Sequence, residues 1–157
     1  MRRELAGGFE LDDDPRRIDV DAVHAFISGH SYWGRGRSRE VTECAIRGST
    51  RVVGLYSGGE QIGFARAVSD GVIFGYLADV YVLPSHRGRG LGLELVRALV
   101  DGADDGSPQG EAGKFAANVR WLLHTADAQG LYAKLGFSED PPTYAVMERR
   151  RGYDSRP

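Results

Sequence analysis

The chain has 157 residues, of which 41% are hydrophobic and 10% aromatic, so we expect a single domain, residues 1–157, with a real core. A net charge of -2 means that the chain lacks the excess of positive charge that binds nucleic acid or a membrane surface. No stretch approaches the roughly 18 apolar residues of a membrane-spanning helix. With one cysteine, Cys44, and no metal-binding spacing of histidines, we expect a cytoplasmic protein without disulfide or metal.

The first third of the chain predicts one short strand and two helices. Residues 8–18 are typical of a partly exposed strand followed by a turn. Asp19 or Asp21 can cap the first helix, whose apolar face is predicted to consist of Val23, Phe26, Ile27 and His30. Ser38 can cap the second helix, and Gly48 can end it. Its apolar stripe is predicted to consist of Val41, Cys44 and Ala45, which assigns Cys44 to core packing.

Three successive strands are predicted next, at residues 51–56, 61–68 and 72–82. Gly58-Gly59 and Asp70-Gly71 are typical hairpin turns, because these residues tolerate positive φ angles. The third strand is long and mostly apolar, which indicates a central position in the sheet.

The C-terminal half predicts two helices and two strands. The predicted elements are a helix at 88–100, a flexible loop at 101–114, a buried strand at 119–124, a helix at 126–135, a last strand at 143–148 and a frayed tail at 150–157. Gly136 is predicted to end the second of these helices, and His124 to be a core histidine. The order of elements indicates one α+β domain.

The segment with the clearest chemistry lies where the third strand ends and a helix begins. Its sequence, residues 79–92, is DVYVLPSHRGRGLG. Glycines let an anion approach the unpaired N–H groups of a helix N-terminus, and Arg87 and Arg89 add positive charge there. The pattern lacks the G-x-G-x-x-G of a dinucleotide-binding fold and the Gly-Lys-Ser/Thr of a Walker loop. It therefore predicts a pyrophosphate site of another class.

These residues resemble a known family. Arg87-x-x-Gly90-x-Gly92 after an apolar strand is similar to the acyl-CoA signature of the GNAT N-acetyltransferase superfamily, and residues 130–137, GLYAKLGF, are similar to its helix-to-strand segment. The resemblance implies a three-layer fold, a mixed and mostly antiparallel sheet with helices on both faces. It also implies acetyl-CoA as co-substrate and direct attack by a primary amine, with a non-catalytic acyl-CoA-binding regulatory module as the alternative function.

The resemblance also implies where acetyl-CoA binds. The implied cofactor-binding residues are Val80, Tyr81, Val82, Arg87, Gly88, Arg89, Gly90, Leu91, Gly92 and Thr125. Many family members have asparagine seven residues before the tyrosine of the second motif, where this chain has Thr125. A hydroxyl can still donate and accept a hydrogen bond there.

Two residues are candidates for proton transfer. Tyr132 matches the family position that protonates the leaving sulfur; the alternative is a tyrosine of the core. Asp79 interrupts an apolar strand and is the candidate base, on the strand face predicted to carry Leu77 and Tyr81. The alternative for Asp79 is a structural ion pair with Arg66.

The acceptor site is predicted at the loop between the first two helices. Its candidate residues are Tyr32, Trp33 and Arg37, with Arg35 beside them. Aromatic faces can hold a cationic amine, whereas arginines prefer a carboxylate or phosphate; a hydrophobic plug with solvated arginines is the alternative. The sequence does not specify the acceptor amine, which can be a small molecule or a peptide. It also allows a homodimer.

Overall fold

The structure, a computed structural model, describes residues 1–101, 115 and 119–139. The strands are β1 (Arg2–Leu5), β2 (Phe9–Asp12), β3 (Arg51–Ser57), β4 (Glu60–Ser69), β5 (Phe74–Val82) and β6 (Arg120–Leu122). The helices are α1 (Val20–His30), α2 (Arg39–Arg47), α3 (Leu91–Val100) and α4 (Gln129–Ala133), with 3₁₀ turns at Pro15–Arg17 and Pro84–His86. The predicted loop beyond Asp101, the strand at 143–148 and the tail at 150–157 lie outside the described residues.

The described strands form one mixed sheet in chain order, β1 to β6. Strands β1 to β5 are antiparallel neighbours, and β6 lies parallel to β5. The hairpin turns are confirmed, since Gly58, Gly59 and Gly71 all have positive φ. Strand β1 was not predicted, because its sequence RREL has one apolar residue; its pairing with β2 and the ion pair of Arg2 with Glu10 place it at the sheet edge.

Helices cover both faces of the sheet, as predicted. On one face, α1 packs its apolar stripe on Val52, Phe64 and Tyr81. On the other face, α3 packs Leu91, Leu95, Val96 and Leu99 on residues that include Val53, Leu55 and Ala65. The two clusters make a three-layer arrangement with the sheet in the middle.

The predicted caps of α1 and α2 are confirmed, but the buried side of α2 differs from the prediction. Asp19 accepts a hydrogen bond from the N–H of Ala22, and Ser38 from that of Val41. The buried residues of α2 are Thr42 and Ile46, whereas Val41 is 54% exposed and Cys44 is exposed. The core assignment of Cys44 is therefore wrong. Thr42 tolerates burial because its hydroxyl donates to the carbonyl of Ser38.

Two strands are shorter than predicted. Strand β5 begins at Phe74, because the Asp70 carboxylate accepts hydrogen bonds from the three N–H groups of Val72, Ile73 and Phe74 and holds them in the turn. Strand β6 has three residues, none fully buried, where a longer buried strand was expected.

Candidate active site

Strand β5 contains a bulge at Asp79. Arg66 pairs with Ala78 and Phe64 with Tyr81, so β5 places two residues, Asp79 and Val80, opposite one residue of β4. Asp79 has a φ of 51°, in the left-handed region that aspartate tolerates better than most residues. Bulges of this kind often re-aim a side chain beside an active site.

The bulge changes which side chains share a face of β5. Leu77 belongs to the core cluster under α3, whereas Tyr81 belongs to the cluster under α1 and stacks on Phe26. The prediction that Leu77 and Tyr81 share a face is therefore wrong, because the extra residue shifts the alternation by one position. Asp79 points to the α1 side, where it meets Arg66 of β4.

The sheet opens beside this bulge. The parallel ladder between β5 and β6 has only three pairs and ends at Tyr76 and Leu122. Beyond it, residues 77–82 of β5 pair with β4 on one side and have no strand partner on the other within the described chain. The unpaired edge of Val80–Val82 consequently borders a cleft.

The cleft has a volume of about 1440 Å³ and lies between the 31–37 loop, β5, the glycine-rich turn before α3 and residues 123–134. It brings together nearly all of the predicted site residues, namely Tyr32, Trp33, Arg37, Asp79, Val80, Tyr81, Val82, Arg87, Gly88, Gly90, Leu91, Gly92, Thr125 and Tyr132. Arg89 is the exception: it is exposed, and its guanidinium lies over the ring of Phe9.

The glycine-rich turn presents backbone donors to the cleft. Gly88 and Gly90 have φ of 77° and 76°, and Gly90 is the N-cap of α3. The five N–H groups of residues 88–92 find no acceptor in the described part of the chain. Arg87 adds its charge here, with its Nε donating to the carbonyl oxygen of Val82. Such a cluster of unpaired donors at a helix N-terminus is suited to an anion.

Tyr132 lies on α4, is 9% exposed and lines the cleft. Its ring packs edge-on against Phe137, with 5.7 Å between ring centroids. Burial raises the pKa of Tyr132 to about 12, and the nearby Tyr32 and Asp127 add to that effect. The phenol is therefore protonated at neutral pH and can act as a proton donor.

Asp79 is the centre of a charged cluster. Its Oδ2 accepts hydrogen bonds from Arg37 at 2.7 Å and from Arg66 at 2.6 Å, and its Oδ1 accepts one from Trp33 Nε1 at 3.1 Å. Burial alone would raise the pKa of Asp79, but the two guanidinium groups lower it below its usual value. The ion pair with Arg66 that the sequence offered as an alternative is present.

The 31–37 loop is anchored at Ser31 and, across the cleft, at Tyr32. The Ser31 hydroxyl donates to the carbonyl of Ile27 and accepts from the N–H of Gly34. Across the cleft, the Tyr32 hydroxyl accepts a hydrogen bond from the N–H of Ala126 at 2.8 Å, although the side chain is 53% exposed. The loop therefore bridges the two sides of the cleft.

Thr125 begins the segment that leads into α4. Its Oγ1 accepts a hydrogen bond from the N–H of Ala128 at 3.0 Å. This use of the hydroxyl stabilises the start of α4 and leaves its hydrogen for another acceptor.

One polar pair in the cleft was not predicted from the sequence. The Tyr76 hydroxyl lies 2.8 Å from Nδ1 of His124, where β5 and β6 diverge. His124 is exposed, so its assignment to the core is wrong. Its predicted strand ends two residues earlier, at Leu122, and nothing in the sequence marks that early end.

The described residues bear on two further kinds of feature, membrane-spanning helices and clusters of metal-ligating side chains. None of their helices has the length and apolarity to cross a membrane. No three metal-ligating side chains come together among them.

Comparison with known proteins gives concordant matches. The family model of the acetyltransferase (GNAT) domain matches residues 48–139. The crystal structure of a Xanthomonas campestris pv. campestris protein, described as an acetyltransferase of the GNAT family, is similar at 32% identity and a TM-score of 0.75, covering 91% of this chain and 93% of that one.

Two curated proteins are also similar over part of their length. A Gibberella zeae protein described as an acetyltransferase is 33% identical over 112 residues, 59% of this chain and 63% of that protein. Serotonin N-acetyltransferase 2, chloroplastic, of Oryza sativa subsp. japonica is 37% identical over 91 residues, 58% of this chain and 41% of the rice protein. The matches therefore span less than two thirds of either curated relative.

Proposed function

The chain belongs to the GNAT acetyltransferase family, and from this premise we propose that it transfers an acetyl group from acetyl-CoA to a primary amine by direct attack in a ternary complex. The observation that carries the proposal is the set of N–H groups at residues 88–92 that find no acceptor within the described chain, in a turn that borders the same cleft as Tyr132 and Asp79. A non-catalytic acyl-CoA binder is not favoured, because the relatives are described as acetyltransferases.

The cleft fits acetyl-CoA in two respects. The amides of residues 88–92 would hold the pyrophosphate, assisted by the positive charge of Arg87 and, from the exposed surface, of Arg89. The edge of β5 at Val80, Tyr81 and Val82, which has no strand partner among the described residues, would pair with the amide groups of the pantetheine like an added strand. Leu91 and Gly92 would support the phosphate end, and Thr125 the opposite side of the cleft.

Tyr132 would donate the proton that the departing thiolate needs. Acetyl-CoA supplies an activated acyl group and a sulfur leaving group. A phenol whose pKa is about 12 stays protonated throughout the working range of pH, so it would be available as a hydrogen-bond donor to the sulfur. It would share this proton with the sulfur as the carbon–sulfur bond breaks, and the proton lost by the attacking amine would restore the balance through water.

Asp79 would act on the acceptor amine. Its Oδ1 accepts one hydrogen bond, from Trp33, and a carboxylate oxygen can accept a second from an ammonium group. Because its pKa is lowered, Asp79 stays charged and orients the amine, with a water carrying the proton away. Tyr32, Trp33 and Arg37 would complete the acceptor end of the cleft.

Direct transfer is supported by the residues that line the cleft. Among the described residues, the lining contains neither a cysteine nor a serine. Cys44, the one cysteine of the chain, lies exposed on α2 and outside that lining. A covalent acyl-enzyme on a thiol has no support in this arrangement.

The proposal is tested first by binding and then by turnover. Acetyl-CoA and CoA should each raise the melting temperature of the protein. With acetyl-CoA, a panel of primary amines, amino acids, peptides and serotonin, the substrate named in the rice relative, should release free thiol with at least one acceptor. No thermal shift with either compound, together with no thiol release from any acceptor, would overturn the proposal.

A further inference from the structure

We infer that the acceptor amine also bears a carboxylate, and that the guanidinium groups of Arg37 and Arg66 bind this carboxylate. The inference names the substrate class of the proposed transfer and rests on that proposed function. Its basis is the arrangement of charge around Asp79, at the end of the cleft away from the glycine-rich turn.

The two arginines have donors to spare. Arg37 bonds to Asp79 through one terminal nitrogen, and Arg66 bonds to it through Nε alone. The remaining nitrogens of both groups have no acceptor within the described chain, although each side chain is only 14% exposed. Half-satisfied guanidinium groups that line a cleft are suited to a planar, bidentate anion such as a carboxylate.

The charge balance favours the same ligand. Two arginines share one carboxylate, so the cluster of Arg37, Arg66 and Asp79 carries a formal charge of +1. Arg35, exposed on the same loop and lining the same cleft, adds a further positive charge. This end is therefore positive in a chain whose net charge is -2. A multiply cationic acceptor would meet charge of its own sign here.

Other ionisable groups of the lining do not reverse this balance. Asp127 is the other described carboxylate of the cleft; it stands near Thr125 and Tyr132 and forms no ion pair with Arg37 or Arg66. Lys134, His86 and His124 also line the cleft and carry no negative charge. An acidic group on the acceptor thus finds its positive partners at Arg37 and Arg66.

Asp79 supplies the matching half of the site. Its Oδ1 accepts one hydrogen bond, from Trp33, and keeps a lone pair for a second donor, while its Oδ2 is used by the two arginines. An acceptor that places a carboxylate on the arginines can therefore place its amine on Oδ1 of the same cluster. That pairing of opposite charges a few ångströms apart is the pattern of a free amino acid.

The phosphates of acetyl-CoA are an alternative source of negative charge for these arginines. The five N–H groups of residues 88–92, which have no acceptor within the described chain, and the charge of Arg87 are available to a pyrophosphate. The carboxylate should accordingly bind to the protein saturated with CoA, and CoA should not compete with it. Competition by CoA would overturn the inference.

Matched ligand pairs test the inference. N-acetyl amino acids and their primary amides, which differ only in the carboxylate, are titrated by calorimetry into the CoA-saturated protein. We expect each acid to bind about tenfold tighter than its amide, as a charge-assisted hydrogen bond predicts. In turnover, tryptophan should likewise have a higher kcat/KM than tryptamine, which lacks the carboxylate.

Two variants separate recognition from folding. R66Q should abolish the preference for acid over amide while leaving the affinity for the amide and the thermal shift with CoA unchanged. R39Q removes the same charge from an exposed arginine that pairs with Asp21 and Glu43 outside the cleft, and it should keep the preference.

Several outcomes overturn the inference. In binding, these outcomes are equal affinity for acids and amides, and tighter binding of a phosphate-bearing amine than of its matched carboxylate. In turnover, the outcome is a higher kcat/KM for tryptamine than for tryptophan. In R66Q, the outcome is an equal loss of acid and amide binding. An absent thermal shift with CoA would instead count against the proposed function, and acid and amide affinities measured without CoA would still decide the carboxylate question.

Discussion

The two ends of the cleft are built in different ways. The proposed phosphate end consists of consecutive backbone N–H groups at the start of α3, positioned by glycines with positive φ. The proposed acceptor end consists of side chains from three separate parts of the chain, Trp33 and Arg37, Arg66, and Asp79, which meet only in the folded protein.

The difference explains how each end carries specificity. A backbone cradle recognises any pyrophosphate, so its chemistry follows from local conformation. A cluster of side chains recognises one pattern of charge, and a change of one residue alters that pattern. We therefore expect substitutions at the two ends to separate cofactor affinity from acceptor selectivity.

The largest expected effect is on turnover, from Tyr132→Phe. Removal of the proton donor should lower kcat by about 100-fold or more, while the thermal shift with CoA stays unchanged. Because the pKa of Tyr132 is about 12, the wild-type enzyme should show no loss of kcat from its ionisation between pH 8 and 10. Steady-state thiol release across that pH range tests both points, and a variant within a few-fold of wild type would exclude this role.

The largest expected effect on stability comes from substitution of Asp79. In Asp79→Asn, loss of the charge leaves two partly buried arginines without their carboxylate and should lower the free energy of unfolding by about 3 kcal/mol. Asp79→Ala should cost about 1 kcal/mol more, because alanine tolerates a φ of 51° less well. Denaturant unfolding at pH 7 measures both, and equal stabilities of the two variants would contradict the strain argument.

The loss of stability in Asp79→Asn should depend on pH. The pKa of Asp79 is lowered in the folded state, so its contribution to stability is present above the unfolded pKa of about 3.9. It is lost as the pH falls through the folded pKa. The difference in unfolding free energy between wild type and Asp79→Asn should consequently be constant at neutral pH and shrink below about pH 4.

A matched pair of glycine substitutions isolates the phosphate end. At both Gly90 and Gly29 an added Cβ meets nothing within 4 Å, but Gly90 has a φ of 76° and Gly29 lies within α1. Gly90→Ala should lower the free energy of unfolding by about 1 kcal/mol and weaken CoA binding. Gly29→Ala should instead raise the free energy of unfolding by about 0.4–1 kcal/mol. Unchanged CoA affinity in Gly90→Ala, measured by calorimetry, would show that the turn geometry does not control cofactor binding.

The smallest expected effect is that of Tyr32→Phe at the bridge across the cleft. The variant loses the acceptor for the N–H of Ala126 at an exposed position. The free energy of unfolding should therefore change by less than about 1 kcal/mol. The KM for the acceptor should rise, and the CoA affinity should stay constant. A change in CoA affinity instead would mean that the bridge also shapes the cofactor end.

Local signals in the sequence predicted most of the framework. The caps Asp19 and Ser38, the hairpin glycines and the glycine-rich turn all depend on residues within a few positions of one another. Errors arose where a distant partner decides the outcome. The buried side of α2 depends on its packing, β1 depends on its pairing with β2, and the end of β6 depends on where β5 diverges.

By itself, the sequence determined the caps of α1 and α2, the hairpin turns and the glycine-rich turn before α3, because positive φ angles and unpaired helix amides are properties of short segments. Only the tertiary structure decided the acceptor end of the cleft. One extra residue at Asp79 shifts the alternation of β5, so that Leu77 and Tyr81 lie on opposite faces and the carboxylate meets Arg37 and Arg66. A bulge depends on the register of two paired strands, and that register exists only once the strands have paired.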